Sequence, residues 1–337
     1  MTGLVFSARI GSHVSVADVV AKAELAEHAG FDQVWTGNDF LGEPGLVSLA
    51  AIASRTDRIR FGCGVVDPVT LHPGQIAMFA SGLQELSGGR FIVGVGAGSD
   101  VFYAKAGITP PSGPVARTRD AVVAIKELSA GRSPARVPGA GPGWTDLAVP
   151  RYAHEVEVYV GAMGPQMLRV AGRYADGALP LCLPPRHVFS AMKEISTGAA
   201  DKGRDIADID IAACVWASIA DDRDEARRAM AHQIALYSGS LPAAVLAEHG
   251  LDPDEFAHTQ RLLDTEGVDA AIASVTDGML GLGIVGGVDD VIAQCSELIE
   301  AGARHISFGP PIGADPLHAL GLIGTTVLPE LRRLADS

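Results

Sequence analysis

Short apolar runs alternate with longer amphipathic stretches along nearly the whole chain. Short runs bounded by Gly, Pro, Asn or Asp read as buried strands. Stretches with apolar residues every three or four positions read as helices. The pattern predicts strands at Leu4–Ile10, Phe31–Thr36, Ile59–Val66, Phe91–Gly96, Val156–Gly161, Gly177–Leu183, Ile209–Ile219 and Ala303–Phe308. It predicts helices at Ser15–Ala29, Leu46–Ser54, Pro73–Leu86, Val115–Ala130, Gln166–Arg173, Pro185–Lys202, Val288–Ala301 and Pro316–Leu334. Ser12 or Ser15 caps the first helix and Gly30 ends it. Pro73 opens another at a position that needs no amide donor.

Eight strands, each followed by a helix, predict an α/β fold: a closed parallel (β/α)8 TIM barrel in one domain over residues 1–337. The first strand is then expected beside Ala303–Phe308. Two segments exceed the repeat. Gly131–Pro150 is a loop rich in Gly and Pro, and Asp222–Asp277 is helical and acidic, more than one crossover requires. The second predicts an insertion after strand seven, at residues 222–286. A doubly wound sheet is the weaker alternative, because no G-x-G-x-x-G joins the first strand to a helix.

Composition narrows the function. Of 337 residues 47% are apolar, enough for one large core, and the formal charge of -14 repels phosphate backbones, so nucleic acid is not an expected partner. No segment reaches the roughly 18 uninterrupted apolar residues of a membrane span, and MTGLVFSARIGSHVSVAD has no secretory character, so the expected location is cytoplasmic. Cys63, Cys182, Cys214 and Cys295 are scattered through apolar runs and are expected as buried thiols in a reducing compartment. No histidine pair has H-x-x-x-H or H-E-x-x-H spacing, so no metal is expected.

In a barrel of this kind chemistry collects at the carboxyl ends of the strands. Those ends here carry Gly37-Asn38-Asp39-Phe40, Gly64-Val65-Val66-Asp67-Pro68, Gly96-Ala97-Gly98-Ser99-Asp100 and Gly161-Ala162-Met163-Gly164-Pro165. The last runs straight into a helix. Glycines admit close approach, and a helix start offers free N–H groups and partial positive charge, so a phosphate can dock there without a basic side chain. The competing account is a tight turn before a helix opened by Pro165. The Gly94/Gly96/Gly98 alternation likewise has two accounts, ligand contact and small residues narrowing the barrel end.

Six segments in register resemble the bacterial-luciferase-like superfamily, and within it the coenzyme F420-dependent methylene-tetrahydromethanopterin reductases. They are AEHAGFDQVW from Ala26, GVVDPVTLHP from Gly64, LQELSGGRFIVGVGAG from Leu83, VYVGAMGPQMLRVAGRYADGAL from Val158, DIDIAAC from Asp208 and FGPPIGADP from Phe308. The resemblance implies a deazaflavin ring lying against a non-prolyl cis peptide at Gly64–Val65. It implies a coenzyme phosphate on Gly161, Ala162, Met163, Gly164, Pro165 and Gln166, with Asn38, Asp67 and Ser99 also at the coenzyme. It also implies a homodimer.

The departures from that family concern acids. Asn38-Asp39 stands where relatives often carry Asp-His, and Asp67 where the reductase has Asn before Pro. Ser99 stands where it has an acid, with Asp100 one place later, and Arg9 falls at an acidic position of strand one. Proton transfer needs a carboxyl or imidazole within hydrogen-bond reach of substrate, which makes Asp39 and Asp100 the candidate catalytic residues. A loop carboxylate capping a helix is the alternative for each. Arg9 is a candidate for binding an anionic small-molecule substrate, with an ion pair to Asp39 as the competing account. His13 and His72 are expected as loop residues and Trp35 as barrel packing. Three functions follow: an F420-dependent oxidoreductase, an FMN-dependent luciferase-type monooxygenase, or a barrel that binds a coenzyme or metabolite without turnover.

Overall fold

The computed structural model describes residues 3–11, 14–38, 41–42, 44–241, 243–248 and 250–336. Its first part follows the predicted alternation: β1 (Val5–Arg9), α1 (Val16–His28), β2 (Gln33–Thr36), α2 (Gly45–Arg55), β3 (Arg60–Val66), α3 (Pro73–Leu86), β4 (Phe91–Val95), α4 (Asp100–Lys105), α5 (Pro114–Ser129), β5 (Glu157–Ala162), α6 (Pro165–Tyr174), β6 (Gly177–Pro180), α7 (His187–Ala200) and β7 (Asp210–Ile219). After β7 come α8 (Arg223–Tyr237), α9 (Ala243–Glu248), α10 (Pro253–Thr265), α11 (Val268–Ala273) and α12 (Asp277–Leu280). The chain continues through β8 (Gly283–Gly286), α13 (Val288–Glu300), β9 (His305–Ile312), α14 (Pro316–Leu322) and α15 (Leu328–Ala335), with one π-helical turn at Ile323–Val327.

Hydrogen-bonded neighbours run β6-β5-β4-β3-β2-β1-β9-β7, and β7 pairs back to β6, which closes a ring of eight strands. The Val5 amide donates to the Arg304 carbonyl at 2.9 Å, placing the first strand beside the last as expected. The fold is therefore the (β/α)8 barrel. Two features differ from the prediction. A ninth strand, β8, runs parallel to the second half of β7 within the segment expected to be a helical insertion. It has four residues, GIVG, too few to give a periodic signal. The short α4 also precedes the helix expected after strand four, and the terminal helix is interrupted by the π turn.

Contacts divide the chain into two compact units: Ser7–Leu181 with Phe189–Ala212, and Met1–Phe6 with Cys182–Val188 and Ala213–Ser337. In the first, Ser15 caps α1 through a reciprocal bond with Asp18, and His72 caps α3 by accepting the Gly74 N–H at 3.1 Å. Its largely aliphatic core includes several fully buried rings. Trp35 is 2% exposed, packs 5.4 Å from Tyr159, and lies against Gly62, where a side chain would collide with its ring. The strand starts carry polar pairs: Arg60 with Glu157 at 2.6 Å, and Tyr159 donating to Asp210 at 2.8 Å. Burial, with Asp210 and Glu157 nearby, pushes the Tyr159 phenol far above its usual range. Such groups at the amino ends of barrel strands serve stability.

In the second unit, Trp216 packs 5.5 Å from Tyr237, and Gly283 of β8 leaves room for the thioether end of Met230. The four cysteines are free thiols and all buried, as expected.

Candidate active site

The carboxyl ends of β3, β4 and β5 meet around one side chain. Val65 follows Gly64 through a cis peptide, the bond the resemblance placed there. A Cβ added at Gly96 would lie 2.6 Å from Val65 Cγ2, and one at Gly161 would lie 2.8 Å from Val65 Cγ1. Both distances are inside van der Waals contact, so Val65 requires glycine at the ends of both β4 and β5. Gly94 lacks a side chain because the Cys63 carbonyl stands in its way, and Gly98, with φ +77, because the Tyr103 hydroxyl does. The glycine alternation of strand four is thus a packing device.

Tyr103 was not singled out by the sequence, because it lies on α4, which the pattern did not predict. Its ring is 2% exposed and its hydroxyl donates to Asp67 Oδ1 at 2.7 Å, while the Ala97 carbonyl sits 3.0 Å away. The same carboxylate accepts from the Val69 amide at 2.9 Å, the Thr70 amide at 2.8 Å and the Thr70 hydroxyl at 2.6 Å. Asp67, expected at the coenzyme, therefore has its carboxylate committed to the loops after β3 and β4. Asn38 is half-buried, and Gly45 at the start of α2 packs so closely that a Cβ would fall 2.8 Å from Asn38 Cα.

Beyond β5 the picture changes from packed to open. Gly164 is the N-cap of α6 and supplies no side-chain hydrogen bond; Pro165 follows at the first helical position. The first-turn amides of Gln166 and Met167 are among those a helix leaves without internal partners. A Cβ at Gly164 would meet nothing within 4 Å, and its φ of -93 suits any residue. Neither conformation nor internal packing demands glycine there, in contrast to Gly161. Met163, Gly164, Pro165 and Gln166 are exposed, and Ala162 is buried. Gly164 thus leaves the amides of this helix start open to the outside, the arrangement in which a helix N-terminus can accept an anion.

Arg9 is the last residue of β1, half-buried and in register with Trp35. Thr36, at the end of β2, has a buried hydroxyl with no hydrogen-bond partner. Ser99 accepts the Tyr103 amide at 3.0 Å, and Asp100 opens α4. Asp39, the other candidate acid, lies outside the described residues, as do Ser12 and His13. Among the described residues no group of three or more His, Cys, Asp or Glu could hold a metal, and no helix is long and apolar enough to cross a membrane.

A closed parallel barrel with its glycine-shaped site at the strand ends belongs to a class shared by many enzymes, and comparison identifies which. The luciferase-like monooxygenase family matches residues 2–305, and the chain belongs to that family. It is 32% identical over 320 residues to 5,10-methylenetetrahydromethanopterin reductase of Archaeoglobus fulgidus, covering 92% of this chain and 94% of that one. It is 29% identical to an F420-dependent glucose-6-phosphate dehydrogenase of Nakamurella multipartita, covering 93% of this chain and 91% of that protein. The solved coenzyme F420-dependent tetrahydromethanopterin reductase of Methanopyrus kandleri superposes with a TM-score of 0.90 at 27% identity, over 98% of this chain and 99% of that one.

Proposed function

We propose that the protein is a coenzyme F420-dependent oxidoreductase acting on a small organic molecule. The observation that carries this is the contrast at the end of β5. Gly161 is glycine because Val65 fills its space, whereas Gly164 faces open space at an uncapped helix start, which favours close approach by an external anion. When bound, the deazaflavin supplies or accepts hydride. The backbone N–H groups of Ala162, Met163, Gly164 and Gln166 would hold its phosphate, with Pro165, which has no N–H, opening the helix beside them. Gly64, Val65, Asn38 and Ser99 would line the site that takes its ring. Asp67 acts at one remove, by fixing the loops through Tyr103 and Thr70.

Asp39 and Asp100 are the residues for proton transfer, following strands two and four at the end where the substrate enters. Arg9 stays protonated at neutral pH and orients a substrate carrying negative charge. The resemblance to reductases and dehydrogenases over nine-tenths of the chain supports F420 over FMN. Residues 1–337 serve as one functional domain, supported by the family match over 2–305. The four buried thiols suit a cytoplasmic protein. Exposed Val47 on α2 and Met78 and Leu86 on α3 support a homodimer through those helices.

The test is turnover of reduced F420 with a panel of carbonyl, imine and enoyl acceptors, run beside oxygen uptake with reduced FMN. Oxidation of the deazaflavin dependent on an acceptor supports the proposal; FMN-dependent oxygen uptake alone assigns the luciferase chemistry instead.

A further inference from the structure

A groove begins at the proposed phosphate site and follows one face of α6. Its volume is about 460 Å³, and it lies between that helix and the first turns of α5. Gln166, whose backbone N–H is assigned to the phosphate, stands in its wall. Gln166, Val170, Arg173 and Tyr174 are spaced i, i+4, i+7 and i+8, so they share a helix face. From Gln166 to Arg173 that face runs roughly two turns, about 10 Å.

The charged residues of the wall are Arg119 and Arg173, with no Asp or Glu among the described residues that line it. Both are accessible, with side chains 38% and 33% exposed. Each is braced from outside the wall by a single carboxylate oxygen. Asp120 Oδ1 accepts from Nε and Nη2 of Arg119 at 2.7 and 2.5 Å. Asp201 Oδ2 accepts from Nε of Arg173 at 3.0 Å and from its Nη2. The Nη1 group of each guanidinium keeps its N–H donors for a further acceptor. Lys202 places Nζ 5.3 Å from the centre of the Tyr174 ring, a third cation beside the groove. In a chain of formal charge -14 this is a local exception, and it suits an extended anion.

The occupant follows from what lies beyond the phosphate. FMN ends at its phosphate. In coenzyme F420 the phosphate is esterified onward to a lactyl group and a chain of γ-linked glutamates, each with a free carboxylate. We infer that this groove is the subsite for the glutamate tail, with tail carboxylates on the Nη1 groups of Arg119 and Arg173. The inference rests on the proposed placing of the phosphate at the start of α6, and it makes these two arginines determinants of F420 over FMN.

The experiment is fluorescence titration of the full chain with three deazaflavins: F420 with its glutamate tail, F420 truncated after the lactyl group, and the deazaflavin with its ribityl chain alone. Tailed F420 is expected to bind about three- to ten-fold more tightly than the truncated form, the range for two exposed charge pairs, and the margin should shrink as salt rises. Arg119→Gln combined with Arg173→Gln should abolish the margin and leave the affinity of the truncated form unchanged. An equal margin in the folded double variant, or no margin in the wild-type chain, overturns the inference while the phosphate site stands. A margin that survives high salt overturns it without recourse to a variant. If the ribityl compound binds as tightly as truncated F420, the phosphate assignment fails and the inference falls with it.

Discussion

The Tyr103 hydroxyl donates to the Asp67 carboxylate at 2.7 Å, tying the loop after β4 to the loop after β3. Removing the hydroxyl in Tyr103→Phe leaves Asp67 its three bonds from Val69 and Thr70, so the expected cost is about 1–2 kcal/mol. Gly98→Ala should cost more, about 2–5 kcal/mol, because it combines a left-handed backbone with a methyl group against the same hydroxyl. Denaturant unfolding checks both. Equal effects from the two substitutions would contradict the account.

Val65 predicts a compensating pair. Gly161→Ala places a methyl 2.8 Å from Val65 Cγ1, and a β-branched side chain has little freedom to yield. Coenzyme affinity should fall about ten-fold, or ~1.4 kcal/mol. Val65→Ala in the same chain should recover part of that loss. A double variant no better than Gly161→Ala would show that Val65 is not the obstacle.

Acid stability should depend on Glu27. Its burial raises the carboxyl pKa, but amide hydrogen bonds from Ile59, Arg58 and Asp57 outweigh it and hold the carboxyl below its usual range. A carboxylate depressed in the folded state adds stability above its unfolded pKa of about 4.3, and the contribution disappears as pH falls through the folded value. Glu27→Gln should therefore lower stability by about 1–2 kcal/mol at neutral pH, with the gap closing in acid. A gap that widened below pH 4 would reverse the sign of this coupling.

Substrate chemistry should differ from that of the reductases. Releasing an iminium from a methylene-tetrahydropterin takes a proton at the amine nitrogen, and general-acid help of this kind contributes about 10²–10⁴-fold. This chain offers Arg9, a poor proton donor, and Ser99, with Asp100 one residue further on. Turnover of methylene-tetrahydromethanopterin is expected to be slower by that factor than in an enzyme with the acid in place. An ordinary enzymatic rate that survives both Asp39→Asn and Asp100→Asn would refute this.

Much of the barrel was legible because its strands are continuous apolar runs and its helices carry start signals such as Ser15 and Pro73, whereas the cap that His72 supplies showed only in the structure. β8 was missed because four residues cannot establish a period, and α4 because it is six residues packed on loops. The site was legible only in part. Glycine stretches marked the strand ends, but the sequence could not distinguish a glycine kept for a neighbour's side chain from one facing open space. Gly161 and Gly164 look alike in the chain and differ in three dimensions by the presence of Val65. The commitment of Asp67 likewise depends on Tyr103, 36 positions away and invisible to local pattern.

The central claim is that the helix start at Gly164 receives the coenzyme phosphate. Fluorescence titration of F420 against the wild-type chain and Gly164→Glu tests it most directly, with FMN as the comparator. Nothing lies within 4 Å of the added Cβ, so the variant should fold normally. Its carboxylate, set against the amides, should weaken F420 binding by at least about ten-fold, equal to ~1.4 kcal/mol. Wild-type affinity in the folded variant, or FMN binding more tightly than F420 to the wild-type chain, would contradict the account.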